Sequence, residues 1–262
     1  MTSTLGQRWA RRKYNRLLAS MAGPKLIAAF GDAYPSAFFV EIGANDGAQH
    51  DHLRPMILEH DWHGIMVEPV PYVFARLQAN YGTVAGVTLE NAAIAARDGT
   101  LPFFHLAEAS AQERPQLPGW YDAIGSFSRE AIAGHARDIP DIEDRIVEVQ
   151  VPALTFESLL ARHGVERVDL ILIDTEGYDW EIIRHLDLAR HKPRLLVYEH
   201  YHLSREDRAA CRAYVEAAGY ETIEEGFDTF CLDATAEDRL TRTWRGLRPA
   251  VAGVAAYEEP DR

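Results

Sequence analysis

The run Val168-Asp-Leu-Ile-Leu-Ile173 constrains the fold of this chain more than any other stretch. It is a continuous apolar segment that stops at Asp174, which is how a central strand covered on both faces reads. Three further runs share the pattern: Phe38–Ile42 carries Glu41 into a glycine loop, Gly64–Val67 stops at Glu68, and Arg194–Tyr198 stops at Glu199-His200. Helical patterns lie between them, over about Gln49–His60, from Pro69-Val70-Pro71 to about Asn80, from a Thr155 cap to His163, over Tyr178–Leu188, and over Ser204–Ala218 closed by Gly219. Gly86–Leu89 and Ile146–Val151 add strands, and Tyr220–Glu224 and Phe230–Leu232 form a closing pair around Gly226. Alternation of this kind predicts an α/β fold on a largely parallel sheet.

Two segments interrupt it. Ile94–Leu106 reads as an antiparallel excursion, with Arg97-Asp98-Gly99-Thr100 as a hairpin turn. Ala107–Asp144 is rich in proline, glycine and charge, and long irregular segments of compact domains often form lids or binding loops; Trp120, Tyr121 and Phe127 are its candidate substrate-cover residues. The expected organisation is a basic helical extension over 1–33, a domain over 34–244 with an irregular cap at about 107–144, and a loose tail over 245–262.

Composition narrows the partners. A net charge of −13 repels phosphate backbones, so no nucleic acid is expected. No apolar run approaches the roughly 20 residues that span a bilayer, so no transmembrane segment is expected. The basic N-terminal stretch, Arg8 to Arg16, belongs to a helix that either packs on the domain or makes a peripheral contact with an anionic membrane or a partner. Cys211 and Cys231 lack metal-type spacing and read as free thiols of a cytoplasmic protein.

The first loop bears on the ligand. Val40-Glu-Ile-Gly-Ala-Asn-Asp-Gly47 lacks the Gly-x-Gly-x-x-Gly cradle for a pyrophosphate, and Glu41 just before the first glycine is unwelcome beside a phosphate but suits a cation. Gly43 and Gly47 allow close backbone approach, and Asn45 and Asp46 would otherwise serve as caps of the following helix. Glu68, at a strand end about twenty residues on, is placed to accept from both hydroxyls of a ribose. A ligand with a ribose, a positive charge and no phosphate answers all three, and S-adenosylmethionine has that chemistry.

VEIGANDG (40–47), MVEPVP (66–71), ENAAIA (90–95) with Asp98-Gly99, VDLILIDTEGYDWEIIRHL (168–186) and KPRLLVYEH (192–200) together resemble the FkbM family of class I S-adenosylmethionine-dependent methyltransferases. The resemblance covers about 37–232 and implies a Rossmann-like sandwich, with a mostly parallel seven-stranded sheet and a C-terminal antiparallel hairpin pair. It implies that Glu41, Gly43, Ala44, Asn45, Asp46 and Gly47 surround the methionine and ribose parts of the cofactor, that Glu68 holds the ribose hydroxyls, and that Asn91 and Ala92 flank the adenine. Ser126, in GSFS, resembles a serine that precedes the fifth signature in this family.

Methyl transfer from a sulfonium is an in-line displacement, so the chain must align the acceptor, exclude water and, for a hydroxyl, take up a proton. Asp174, His200 and Glu199 are the candidates for that role, His200 as base with Glu199 orienting it. A divalent metal held by Asp174, Glu199 and His200, with His202 nearby, is the alternative way to acidify a hydroxyl, although no metal ligand is assigned. The resemblance implies O-methylation of a small-molecule or glycan acceptor: a sugar, glycolipid or secondary metabolite. The other readings are an NAD-dependent oxidoreductase, for which Glu68 would also suit the ribose, and a non-catalytic binding protein on the same fold.

Overall fold

The computed structural model describes residues 22–49 and 51–251. The basic stretch from Arg8 to Arg16 lies outside them, as does the chain beyond Val251. Strands β1 (Phe38–Ile42), β2 (His63–Val67), β3 (Val87–Glu90), β4 (Ala93–Ile94), β5 (Gly99–Leu106), β6 (Gly125–Ser126), β7 (Ile146–Leu154), β8 (Leu170–Ile173), β9 (Leu195–Glu199), β10 (Glu221–Glu225) and β11 (Asp228–Leu232) make two sheets. The larger is seven-stranded in the order β10-β11-β9-β8-β1-β2-β3. β3, β2, β1, β8 and β9 run parallel, and β11 is antiparallel to both β9 and β10, as the expected hairpin pair requires.

Alternation along the central strands supplies two separate cores. Phe39, Leu170, Leu172, Leu195 and Val197 face one apolar layer, while Val40, Ile42, Ile171, Ile173, Leu196 and Tyr198 face the other. Both faces are therefore dry, and this is why these strands read as continuous apolar runs. Register does the rest. Ile42 is level with Val67 on one side and Ile173 on the other, and Ile173 is level with Tyr198. The residues that follow, Gly43, Glu68, Asp174 and Glu199, thus emerge along one edge of the sheet.

The smaller sheet, β4-β7-β5-β6, differs from the expected hairpin. β4 and β5 do not pair with each other; β7 lies between them, parallel to β4 and antiparallel to β5. Asp98 does not close a turn but accepts from the Thr155 amide at 2.7 Å and the Ser158 hydroxyl at 2.6 Å, tying the sheet to the Phe156–Arg162 helix. A local Asp-Gly signal was outweighed by the continuous ladder that β7 offers β5. The segment over 107–144 is less irregular than expected. It forms short helical turns around its own apolar cluster, including Leu106, Tyr121, Ile124, Ile132, Ile139 and Ile142.

Three helices also differ. The one expected from Gln49 spans only Arg54–Glu59, because Asp46 accepts from the amides of Ala48 and Gln49 and Asp51 from those of Leu53 and Arg54, folding the preceding chain into side-chain-closed turns. The one expected over 178–188 ends at Ile183. The tail expected to be loose from 245 continues the Arg239–Val251 helix, which carries Trp244 at 0% exposure with its indole N–H donating to Glu221 Oε2 at 2.9 Å. Leu26, Ile27 and Phe30 of the Ala22–Ala33 helix belong to the same apolar layer as Trp244. Among the described residues no helix is long and apolar enough to cross a membrane. Cys211 and Cys231 are buried and free.

Trp244→Ala should cost about 3–5 kcal/mol, the range for emptying a fully buried aromatic site. Urea unfolding would read this, and a loss under about 1 kcal/mol would show that the C-terminal helix is not part of the core.

Candidate active site

The loop after β1 has left-handed backbone at Gly43 (φ +83), Asn45 (φ +49) and Gly47 (φ +65). Gly43 is required there: a Cβ would lie 1.7 Å from the carbonyl oxygen of Asp174. The amides of Gly43 and Ala44 both donate to Val67 O at 3.0 Å, pinning the loop to the end of β2. Glu68 completes the clamp, accepting from Asn45 N at 3.0 Å through Oε2 and from Val70 N at 2.7 Å through Oε1. Asn91 donates from Nδ2 to the carbonyls of Glu68 and Pro69.

Above this loop lies an inner chamber of about 140 Å³, joined to an outer cleft of about 920 Å³. Glu41, Gly43, Ala44, Asn45, Glu68, Ala92, Ser126 and Asp174 all line the inner chamber. Other residues singled out in the sequence do not. Asp46 caps the Ala48–Gln49 turn, Gly47 packs where a Cβ would meet Leu77 and Tyr81, and Asn91 braces the loop from outside the lining. Glu199 is 8% exposed and lines neither cavity. His200 is fully buried with Nδ1 2.9 Å from Thr229 Oγ1 and lines neither cavity, so the geometry does not bring the expected base to the ligand.

Trp120 and Phe127 roof the inner chamber, as candidate cover residues should, while Tyr121 is core, its hydroxyl donating to Ala107 O at 2.8 Å. The cap is anchored through Asp122, which accepts from Tyr72, Arg76 and Arg114. Glu176 and Tyr178 line both cavities, and neither stands among the candidate site residues named from the sequence. The signal was Asp174-Thr-Glu-Gly177: a polar turn leaving a central strand, with Glu176 held at φ +53.

Carboxylates dominate the electrostatics. Burial raises Glu41 well above the usual range, and Asp51 and Asp174 push it further. Asp174 is surrounded by protein yet open to the water of the chamber; its carboxyl is raised by the loss of bulk solvent and then by Glu176, Asp179, Asp228 and Glu68. Burial also raises Glu199, with Asp174 and Glu176 adding to the effect. Glu68 and Asp179 are pushed up to about 7, chiefly by burial, which their backbone hydrogen bonds only partly offset. One oxygen of Glu41, Oε2, is buried with no hydrogen-bond partner. A group that supplied a positive charge or a donor there would relieve both the repulsion and the unsatisfied acceptor.

A model of the methyltransferase FkbM domain family matches residues 41–222. No curated protein matches the chain. Among solved structures, the methyltransferase FkbM of Methylobacillus flagellatus KT is 11% identical, with a TM-score of 0.47 over 75% of this chain, which spans 44% of that one. The precorrin-6y C5,15-methyltransferase of Geobacter metallireducens GS-15 is 12% identical, with a TM-score of 0.36 over 75% of this chain and 79% of its own. The Aeropyrum pernix fibrillarin, solved with natively bound S-adenosyl-L-methionine, is 10% identical, with a TM-score of 0.40 over 75% of this chain and 66% of its own.

A carboxyl raised in the fold adds stability that is complete below its unfolded pKa and is lost as pH rises through the folded one. With Glu68 and Asp179 both at about 7, the ligand-free protein should be most stable near pH 5 and should weaken through pH 7. Glu68→Gln should flatten part of that slope. Urea unfolding across about pH 5 to 8 would read it, and a profile that instead rises with pH would contradict this account.

Proposed function

Because the chain belongs to the methyltransferase FkbM domain family, we propose that it transfers a methyl group from S-adenosylmethionine to a hydroxyl of a sugar, glycolipid or secondary metabolite. The observation that carries the cofactor reading is Glu41 Oε2, a buried acceptor without a partner in a chamber built on left-handed glycines. Glu41 meets a positively charged group, and the Gly43 backbone allows that group to come close. Glu68 keeps an unused lone pair on each oxygen beside its two amide bonds, which suits it to a pair of ribose hydroxyls. Ala92, Phe103 and Ile94 offer an apolar wall for a base.

S-adenosylmethionine supplies an electrophilic methyl group, and this chain's residues supply alignment, exclusion of water and a destination for the proton. The outer cleft admits the acceptor past Tyr178, which stands at the junction. Asp174 lines the chamber and takes the hydroxyl proton on its carboxylate; crowding by other acids makes it a stronger base than a solvated aspartate once ionised.

Calorimetric titration should show S-adenosylmethionine and S-adenosylhomocysteine binding, and NAD not. Glu68→Ala should weaken both by about 1.5–3 kcal/mol, roughly 10- to 150-fold. Because Glu68 must be ionised to accept from the ribose, affinity should rise as pH increases through about 7. NAD binding without either sulfur compound would favour the oxidoreductase reading; binding of the sulfur compounds with no turnover on any hydroxylated acceptor would favour a binding protein.

A further inference from the structure

Where the inner chamber meets the outer cleft, three side chains from two strand ends converge. Glu176 leaves the turn after β8, Glu199 is the last residue of β9, and His202 follows three residues later. One potential ligand atom from each lies within 4.8 Å of the others. His202 Nε2 is 2.9 Å from Glu176 Oε2 and 3.8 Å from Glu199 Oε1.

A carboxylate and an imidazole at 2.9 Å make an ordinary pair, and the chain has others. Glu90 holds His163 at 2.9 Å and Glu157 holds His191 at 2.8 Å, but in each case an arginine, Arg162 or Arg190, takes the second oxygen. There one carboxylate is shared by two cationic groups. Here two carboxylates are aimed at one imidazole nitrogen. The second stands at 3.8 Å, too far for a hydrogen bond, and its other oxygen, Glu199 Oε2, is buried without a partner. Glu199 is only 8% exposed, so solvent does not repair the deficit. Ligands held roughly 2.0–2.2 Å from one dication stand about 3.0 Å apart at octahedral corners and about 3.4 Å apart at tetrahedral ones. The two separations around His202, 2.9 and 3.8 Å, bracket those edges.

We propose that Glu176, Glu199 and His202 bind one divalent transition cation. Two carboxylates with one imidazole match Mn²⁺ best among the common ions, being oxygen-rich with a single nitrogen. Glu199 is the most buried ligand, while Glu176 and His202 line the outer cleft and leave the remaining positions facing it. Glu176 also lines the inner chamber, so an acceptor oxygen bound at those positions would be held beside the cofactor. That role rests on the methyltransferase reading above; the binding of the ion does not.

The test is titration of the chelator-treated full chain with Mn²⁺ alone, read by loss of the free-ion paramagnetic resonance signal and by calorimetry. One ion per chain is expected. Glu199→Gln and Glu176→Gln should each weaken it at least tenfold, as should His202→Ala. Glu90→Gln, which breaks the comparable pair at His163, should leave it unchanged. Circular dichroism and melting of each variant separate a lost ligand from a lost fold, and Glu176, the more exposed carboxylate, is the variant least able to disturb the core. No saturable Mn²⁺ binding by the folded wild type, or binding that survives both Glu176→Gln and Glu199→Gln, would overturn the site. A parallel S-adenosylmethionine titration keeps the two readings apart: cofactor binding without Mn²⁺ binding rejects the ion site alone, and Mn²⁺ binding without cofactor binding rejects the methyltransferase reading alone.

Discussion

The carbonyl oxygen of Asp174 occupies the space in which a side chain at residue 43 would sit. Everything at the chamber floor follows from that contact. It draws the loop after β1 against the loop after β8, and the shared amide bonds to Val67 draw the end of β2 into the same clamp. Only glycine tolerates the geometry, because both the positive φ and the absent Cβ are needed. The parallel register then aligns the acids. With Ile42, Val67, Ile173 and Tyr198 level across the sheet, Glu41, Glu68, Asp174 and Glu199 have nowhere to separate.

The result is a fold that concentrates negative charge where it is least well solvated. Arginines neutralise acids elsewhere, at Asp122, Glu224 and Asp238 for example, and the carboxyls there are held below their ordinary range. Along the strand ends the opposite holds: the neighbours of Glu41, Asp174 and Glu199 are other acids, and all three are raised. Two of them, Glu41 and Glu199, also keep a buried oxygen without a donor. A stable domain does not need that arrangement and loses stability by it above neutral pH. It makes sense as a reservoir of affinity for positive charge: a ligand's cation at Glu41, a metal ion at Glu199.

How much of this was legible in the sequence depended on whether the signal was local. The central strands were legible because burial on both faces leaves no room for polar residues, and the acids that end them were legible because the apolar runs stop so sharply. Glu41, Gly43, Asn45, Glu68 and Asp174 fall at the chamber for that reason. Side-chain direction was not legible. His200 follows Glu199 in sequence, but pleating turns successive residues to opposite faces, and it ends on Thr229 while Glu199 faces the acids. The strand pairing of 93–106 was missed for a related reason: an Asp-Gly pair announces a turn locally, and the competing partner, β7, lies some fifty residues away. The C-terminal helix was missed because alanine, glycine and proline in its last turns outweighed Leu240 and Trp244, the buried apolar residues that dock it.

The cap covers the chamber that the loop after β1 builds. Ser126, Phe127, Glu176 and Tyr178 line both cavities, so the same side chains face the space on either side. Phe127 and Tyr178 come from the cap and from the β8 turn, and their rings lie 4.8 Å apart. Asp122 fastens the cap to Tyr72 and Arg76 on the Pro71–Tyr81 helix, and that helix begins beside the Glu68 clamp. The cap and the Glu68 clamp are therefore tied to one helix.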